Sequence, residues 1–319
     1  MKILNYLLLG VALCFAACND DDENLSPTGE TNWFVLEDSD DELGHLAYEI
    51  YKETGVTIFY NDTIAKVQRG VNSLGEPMYR YEVLGINYNV NSHYNYRYPL
   101  LTERDKIKKG MEFLRDEVIP GLLNGASPCS FLLVDSLINK SNVNENTLYL
   151  KDVFKARRTT CVALYEKKET EIDKKSLGAT VLAEEYAAYM NGMESDNLTV
   201  FCSFSVGKVD KVMNKPLYGV SMKETNKDTD WDEDCRKFGF LSYDKGKKFT
   251  VNKKTGKLTE YTCPTVIQDI ADYVKEVLLG DDAAFEEKNG EFKLCVEKYK
   301  LMKSIVSELQ ETLGKRSDL

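Results

Sequence analysis

The sequence predicts an α+β protein with a mixed N-terminal part and a helical C-terminal part. Apolar residues recur at three- and four-residue spacing in several stretches, the mark of helices that pack by one face. Between them lie short runs rich in β-branched and aromatic residues, such as "VTIFY" and "SFLLV", which read as strands. From Thr265 onward the helical spacing is almost continuous.

The elements follow in order. "SDDELGHLAYEIYKETG" opens with Ser39 and Glu42 at capping-box spacing and carries Leu43, Leu46, Ala47, Ile50 and Tyr51 on one face. Gly55 stops that helix. Residues 56–60, "VTIFY", form a strand, and the tyrosine- and asparagine-rich stretch 79–98 reads as strand and loop. Ile107, Met111, Leu114 and Val118 define a second helix that ends near Pro120. "CSFLLVDSL" is a continuous apolar run, as expected of a buried strand, and residues 160–165 supply another. Residues 177–191 form a helix containing "VLAEEYAAYM".

Residues 201–218 are mixed in pattern, and the charged, glycine-containing stretch 227–261 is expected to be mostly loop. Thr265 and Gln268 make a second capping box. The helix they open directs Ile267, Ile270, Ala271, Val274 and Val277 to the core. Residues 292–313 form a long final helix with Cys295, Tyr299, Met302, Val306 and Leu309 on its apolar face, closed by Gly314 before Lys315 and Arg316. No internal repeat is visible.

The first residues, "MKILNYLLLGVALCFAAC", combine Lys2, an apolar stretch over residues 4–13, and small residues before Cys18. This reads as a secretory signal peptide over residues 1–17, too short to span a bilayer. Ala-Ala-Cys matches a lipobox, so Cys18 is expected to be lipidated. The acids of "NDDDEN" follow at once, a solvated linker that also resembles the surface-export signal of Bacteroidota lipoproteins. Residues 18–31 then form an acidic tether, and residues 32–319 one folded domain in two lobes, around 32–190 and 191–319. The expected location is the outer membrane, facing outward.

The formal net charge is -11, with no basic stripe, which argues against nucleic acid and against adhesion to anionic lipid. Beyond Cys18, Cys129, Cys161, Cys202, Cys235, Cys263 and Cys295 are widely spaced with no C-x-x-C pair, so a thiolate zinc site is not indicated. Buried free thiols are the simpler expectation, although an exported chain permits disulfides. Serine-elbow, P-loop and dinucleotide-binding fingerprints are absent.

The lipoprotein start, "GVTIFY", "SFLLVDSL", "CVALY", the helix at Val181, "GFLSYD", "QDIADYV" and the final helix come in an order that resembles the substrate import-associated zinc metallohydrolase lipoproteins of Bacteroidota. The resemblance covers nearly the whole mature chain and implies a zincin-like metallopeptidase scaffold, encoded beside nutrient-import systems. It implies an H-E-x-x-H helix, in which two histidines four residues apart reach one zinc ion and the glutamate activates its water. Carried onto "AEEYA", the histidines fall on Ala183 and Ala187 and the glutamate on Glu184. Alanine has no lone pair to offer.

Asp269 and Asp272, in the segment resembling the family's acidic helix, are remnant-ligand candidates. With Glu184 they would make a hard oxygen set that suits calcium or magnesium better than zinc. His45 and His93 are the only histidines and neither has a ligand-spaced neighbour. His45, beside the first helix's apolar face, is expected to be packed or solvated.

The expected protein is therefore a non-catalytic pseudo-metallopeptidase without metal or cofactor, with Glu184 a vestigial base. It would bind a peptide or glycan as part of an import system, in contact with a TonB-dependent transporter complex. Tyr88, Tyr94, Tyr96 and Tyr98 offer either flat faces for sugars or aromatic core contacts. The alternative is an active hydrolase built around Glu184 with an unseen partner.

Overall fold

The computed structural model describes residues 31–86, 96–125, 128, 130–139, 150–164 and 173–316. Cys18, Tyr88, His93, Tyr94 and Cys129 lie outside the described residues. Residues 31–35 form a short turn, with Val35 N–H donating to the Asn32 carbonyl at 3.1 Å. Residues from Leu36 onward make up a separate compact unit, and its fold is α+β.

Helix α1 spans Glu42–Thr54. Its N-cap is Asp41 rather than Ser39, because the Asp41 carboxylate reaches the Leu43 and Gly44 N–H groups at 3.1 and 3.2 Å. Ser39 instead accepts from the Asp41 N–H, and Glu42 is drawn to Lys108 at 2.7 Å. Gly55 ends the helix with φ 69°, a left-handed conformation that glycine adopts without a Cβ penalty. Strand β1, Thr57–Phe59, follows, fully buried. Strands β2 (Thr63–Val71) and β3 (Pro77–Val83) then form a largely exposed hairpin.

Strand β4 (Tyr96–Arg97) leads to α2 (Arg104–Phe113), which runs on through a wider turn over Leu114–Val118 into a 3-10 turn at Ile119–Gly121. Ile107, Met111, Leu114 and Val118 all face the core. Strands β5 (Ser130–Val134), β6 (Leu137–Asn139), β7 (Leu150–Lys151), β8 (Val153–Lys155) and β9 (Thr159–Ala163) complete the N-terminal part. The central sheet has the order β1-β5-β9-β8. Its first three strands are parallel and β8 is antiparallel to β9. Every residue of β5 and β9 is buried, which is why "SFLLV" shows no polar alternation.

Helix α3 spans Lys174–Asn191 and α4 spans Asp196–Ser203. Strands β10 (Val206–Val209) and β11 (Val212–Pro216) make a second hairpin. Its turn residues Asp210 and Lys211 take φ 49° and 70°, a strained choice for non-glycine residues. The neighbouring loop holds them there, as Lys211 N–H donates to the Asp228 carbonyl at 2.8 Å.

The charged stretch expected to be loop contains more structure than its composition indicated. Strand β12 (Ser221–Lys223) precedes it, and β13 (Thr250–Val251) and β14 (Leu258–Thr262) fall within or at its end, pairing in the order β12-β14-β13. Leu217, Met222, Cys235, Phe240, Tyr261 and Cys263 form a small second core beneath this sheet.

Helix α5 spans Val266–Leu279, with the Thr265–Gln268 capping box formed in both directions. Ile267 is exposed on it, while Asp269 and Tyr273 are buried, so the core-facing stripe is rotated from the purely apolar one. Helix α6 (Asp282–Asn289) and the long α7 (Lys293–Leu313) close the chain. The main core draws on α1, α2, α3, α5 and α7 and on the central sheet, from both sides of residue 190. The five described cysteines are free thiols, four of them buried. Among the described residues no helix is long and apolar enough to cross a membrane.

Candidate functional site

The site expected around "AEEYA" lies on α3, whose N-cap Asp173 accepts from the Ser176 N–H at 3.0 Å. This helix is apolar nearly all round. Val181, Leu182, Ala183, Tyr186, Ala187 and Met190 are all buried, which is the burial pattern of an interior helix. Ala183 and Ala187 join the same core as Ile270, Ala271 and Val274 of α5. The two positions four residues apart that would present metal donors instead present methyl groups to packed neighbours.

Glu184 sits one step round the helix, with its side chain 16 % exposed, and takes the Lys151 ammonium at 2.6 Å. Glu185 is buried deeper. It accepts from Lys155 Nζ at 2.7 Å and from the Thr160 hydroxyl. Burial pushes the Glu185 carboxyl up, against the pull of Lys155 and Thr160. Both glutamates therefore turn to the strands β7, β8 and β9, each held by a lysine. Lys151 and Lys155 were not singled out in the sequence. The signal was present in "LKDVFK", where two lysines flank apolar residues next to a buried strand.

Tyr96 lies near this point, buried against Phe154 with ring centroids 4.5 Å apart. Burial raises its phenol, with smaller electrostatic effects from Lys151, Glu184 and Asp244. Its place is a core contact, so Tyr96 does not offer a flat face to a sugar.

Asp272 and Asp269 come from α5. Asp272 accepts from the Ser242 hydroxyl at 2.5 Å. Burial, then the negative charges of Asp269 and Glu184, push its carboxyl up to about 6. Asp269 is shut inside the protein, 1 % exposed, and forms an ion pair with Lys298 of α7. Tyr218 OH donates to the same carboxylate at 2.8 Å. Lys298 also donates to Ser205 Oγ at 3.0 Å, and its ammonium lies 4.2 Å from the centre of the Phe201 ring and 5.1 Å from that of Tyr273. Burial raises the Asp269 carboxyl, and Lys298 and Tyr218 draw it back.

These residues do not fit a catalytic zinc ion. Ala183 and Ala187, two of the positions where zinc ligands were expected, carry methyl groups in a packed core. Glu184 is neutralised by Lys151 and Asp269 by Lys298, so a cation arriving at either carboxylate would meet an ammonium group. Among the described residues no group of three or more histidine, cysteine, aspartate or glutamate side chains is placed to hold a metal ion. His45 is exposed on α1 and bonds Asp38 at 2.6 Å, which raises its pKa.

No protein-family model matches the chain, and no curated protein and no solved structure matches it. The site's chemistry is therefore read from the geometry around α3 alone. Its chemistry is that of charge pairs closed on one another. A cleft of about 230 Å³ opens elsewhere along α3, among Lys174, Lys175, Tyr186 and Gln310, and does not include Glu184.

Proposed function

We propose that this chain is a lipid-anchored protein of the outer membrane that binds a ligand without cleaving it. In this reading its scaffold is zincin-like and its peptidase chemistry has been lost. Residues 1–17 direct export, Cys18 carries the lipid, and the acidic tether holds the domain outside the cell. The domain serves as a binding or accessory component of a nutrient-import system, in the company of a TonB-dependent transporter, and takes peptide or glycan.

One observation carries the loss of chemistry: Glu184 is closed onto Lys151, between two alanines that are buried where metal donors would stand. A general base must be free to reach water, and a metalloenzyme must keep an open coordination position. The Lys151 pair and the two buried alanines argue against both around this helix.

The test is the metal content of the purified mature domain, by elemental mass spectrometry after dialysis against dilute zinc. The expected result is far less than one zinc per chain. Near-stoichiometric zinc that disappears with Glu184→Gln or Asp269→Asn would overturn the proposal.

A second reading, a hydrolase that uses Glu184 with another carboxyl, draws on one observation: the Asp272 carboxyl, raised to about 6, feels the charge of Glu184. A hydrolytic rate on peptide or glycosidic substrates that collapses in Glu184→Gln would favour it.

A further inference from the structure

A second cleft, of about 360 Å³, lies over the smaller sheet, away from α3. It is lined by Trp231, Asp232 and Glu233 from one loop, Lys237 from the 3-10 turn at Cys235–Phe238, and Asn252 and Lys257 from the β13–β14 turn. We infer that this cleft is a binding site for a neutral pyranose sugar. The inference names the ligand and the place for the binding role proposed above, and it rests on that reading.

Four features support it. First, Trp231 is half-buried and packs on Tyr261, ring centroids 5.4 Å apart, so the indole is held in a fixed orientation where it lines the cleft. An immobilised indole gives the C–H face of a pyranose a flat apolar surface at little entropic cost.

Second, the carboxylates at the rim are already positioned. Lys237 holds Asp232 at 2.5 Å and Lys257 holds Glu233 at 2.8 Å. Asp232 also accepts from the Asp234 N–H at 2.9 Å. Each carboxylate retains lone pairs for sugar hydroxyls, and each lysine retains N–H donors. Paired acceptors and donors beside an aromatic face suit a vicinal diol.

Third, the supports are built in. Tyr261 OH donates to the Asp232 carbonyl at 3.1 Å, and Asn252 Oδ1 accepts from the Lys254 and Thr255 N–H groups to fix the turn opposite. Trp231 and Leu258, both in the cleft's lining, pack against the second hydrophobic core. Its volume falls within the roughly 300–1,000 Å³ range of small-ligand pockets.

Fourth, the charge selects among sugars. The two ion pairs cancel, and Glu224 adds a further carboxylate to the lining. An acidic sugar would be repelled and a neutral one accepted.

The chain offers a direct reporter, because it has only two tryptophans, Trp33 and Trp231. In a Trp33→Phe form of the mature domain, Trp231 emission is followed during titration with maltose, cellobiose and xylobiose. Digalacturonate and a short neutral peptide serve as comparators. The expected result is a saturable change with at least one neutral disaccharide and none with digalacturonate. Glu233→Gln and Lys257→Met, both at the exposed rim, should each weaken that binding at least about fivefold while leaving the circular dichroism spectrum unchanged.

Calorimetry with Trp231→Ala completes the test, and the two rim variants stand in for it if that variant misfolds. Sugar binding that survives all three substitutions would place the site elsewhere, overturning this inference while leaving the binding reading intact. A response to the peptide alone would overturn it and leave only the peptide form of that reading. Failure of every probe to bind would overturn this inference and remove the glycan form of the reading.

Discussion

Lys298 and Asp269 form an ion pair with neither side chain open to solvent, at 0 % and 1 % exposure. The pair bridges α7 and α5 inside a ring of Phe201, Tyr218, Phe240 and Tyr273. Removing one partner of such a pair leaves an uncompensated buried charge and costs about 3–5 kcal/mol. Lys298→Met should therefore lower unfolding stability by that order in a urea titration. The double variant Lys298→Met with Asp269→Leu should recover much of the loss. A double variant no more stable than the single one would mean that the aromatic ring, rather than the charge pair, sets the stability here.

Asp272 gives a pH dependence of defined sign. Its carboxyl rises to about 6 from an ordinary 3.8, so the folded protein binds this proton more tightly than the unfolded chain. The group's stabilising contribution is complete below the ordinary value and is lost as pH rises through the folded value. Asp272→Asn should thus gain stability over the parent as the pH is raised from roughly 4 to 7, by up to about 3 kcal/mol. Urea midpoints of both proteins across that range check it, and a difference that does not change with pH would show that Asp272 titrates normally.

Restoring the histidines should harm the protein. Ala183→His and Ala187→His each push an imidazole into space now filled by packed methyl groups, at about 1–3 kcal/mol apiece for overpacking. The double variant should melt earlier, with or without zinc. A melting temperature raised by zinc would reveal a metal geometry still latent in the scaffold.

The β2–β3 hairpin should be nearly neutral for stability. Leu74 at its tip is 82 % exposed, and Val71, Met78, Tyr79, Tyr81 and Val83 are also open to solvent. Leu74→Lys should change the unfolding free energy by less than about 0.5 kcal/mol, as for other surface substitutions. A larger loss would mean that the hairpin tip is covered in solution.

Cys18 carries the membrane reading. Cells grown with labelled palmitate should incorporate label into the parent protein and not into Cys18→Ala, read by gel fluorography. Equal label in both would remove the lipid anchor from the proposal.

Hydrophobic period made most elements legible. The runs at Val56, Ser130 and Thr160 gave their strands, and the spacing in α1, α2, α5 and α7 gave their helices. Charge pairing misled the same reading. Glu42 suggested a capping partner for Ser39, yet Lys108 takes it and Asp41 caps the helix. On α5 the apolar spacing turned Ile267 inward, whereas Asp269 is the buried residue because Lys298 waits for it one helix away. Lys298 itself, 29 positions later, has no local signal. Strands β13 and β14 were hidden by the many solvent-facing lysines around them. Glu184 was visible as a residue, but its closure by Lys151 depended on a strand whose register no local pattern sets.

The buried thiols carry one more consequence. Cys161, Cys235, Cys263 and Cys295 are free thiols inside the protein, and burial raises all four, Cys235 to about 12. The thiolate is the form that reacts, so these sulfurs stay silent while the domain is closed and answer an alkylating reagent only when it opens. Each covalent tag added under native conditions would record one opening event. The molecule thus carries its own clock for transient unfolding, distributed from the central sheet to the final helix, with no probe to be engineered in.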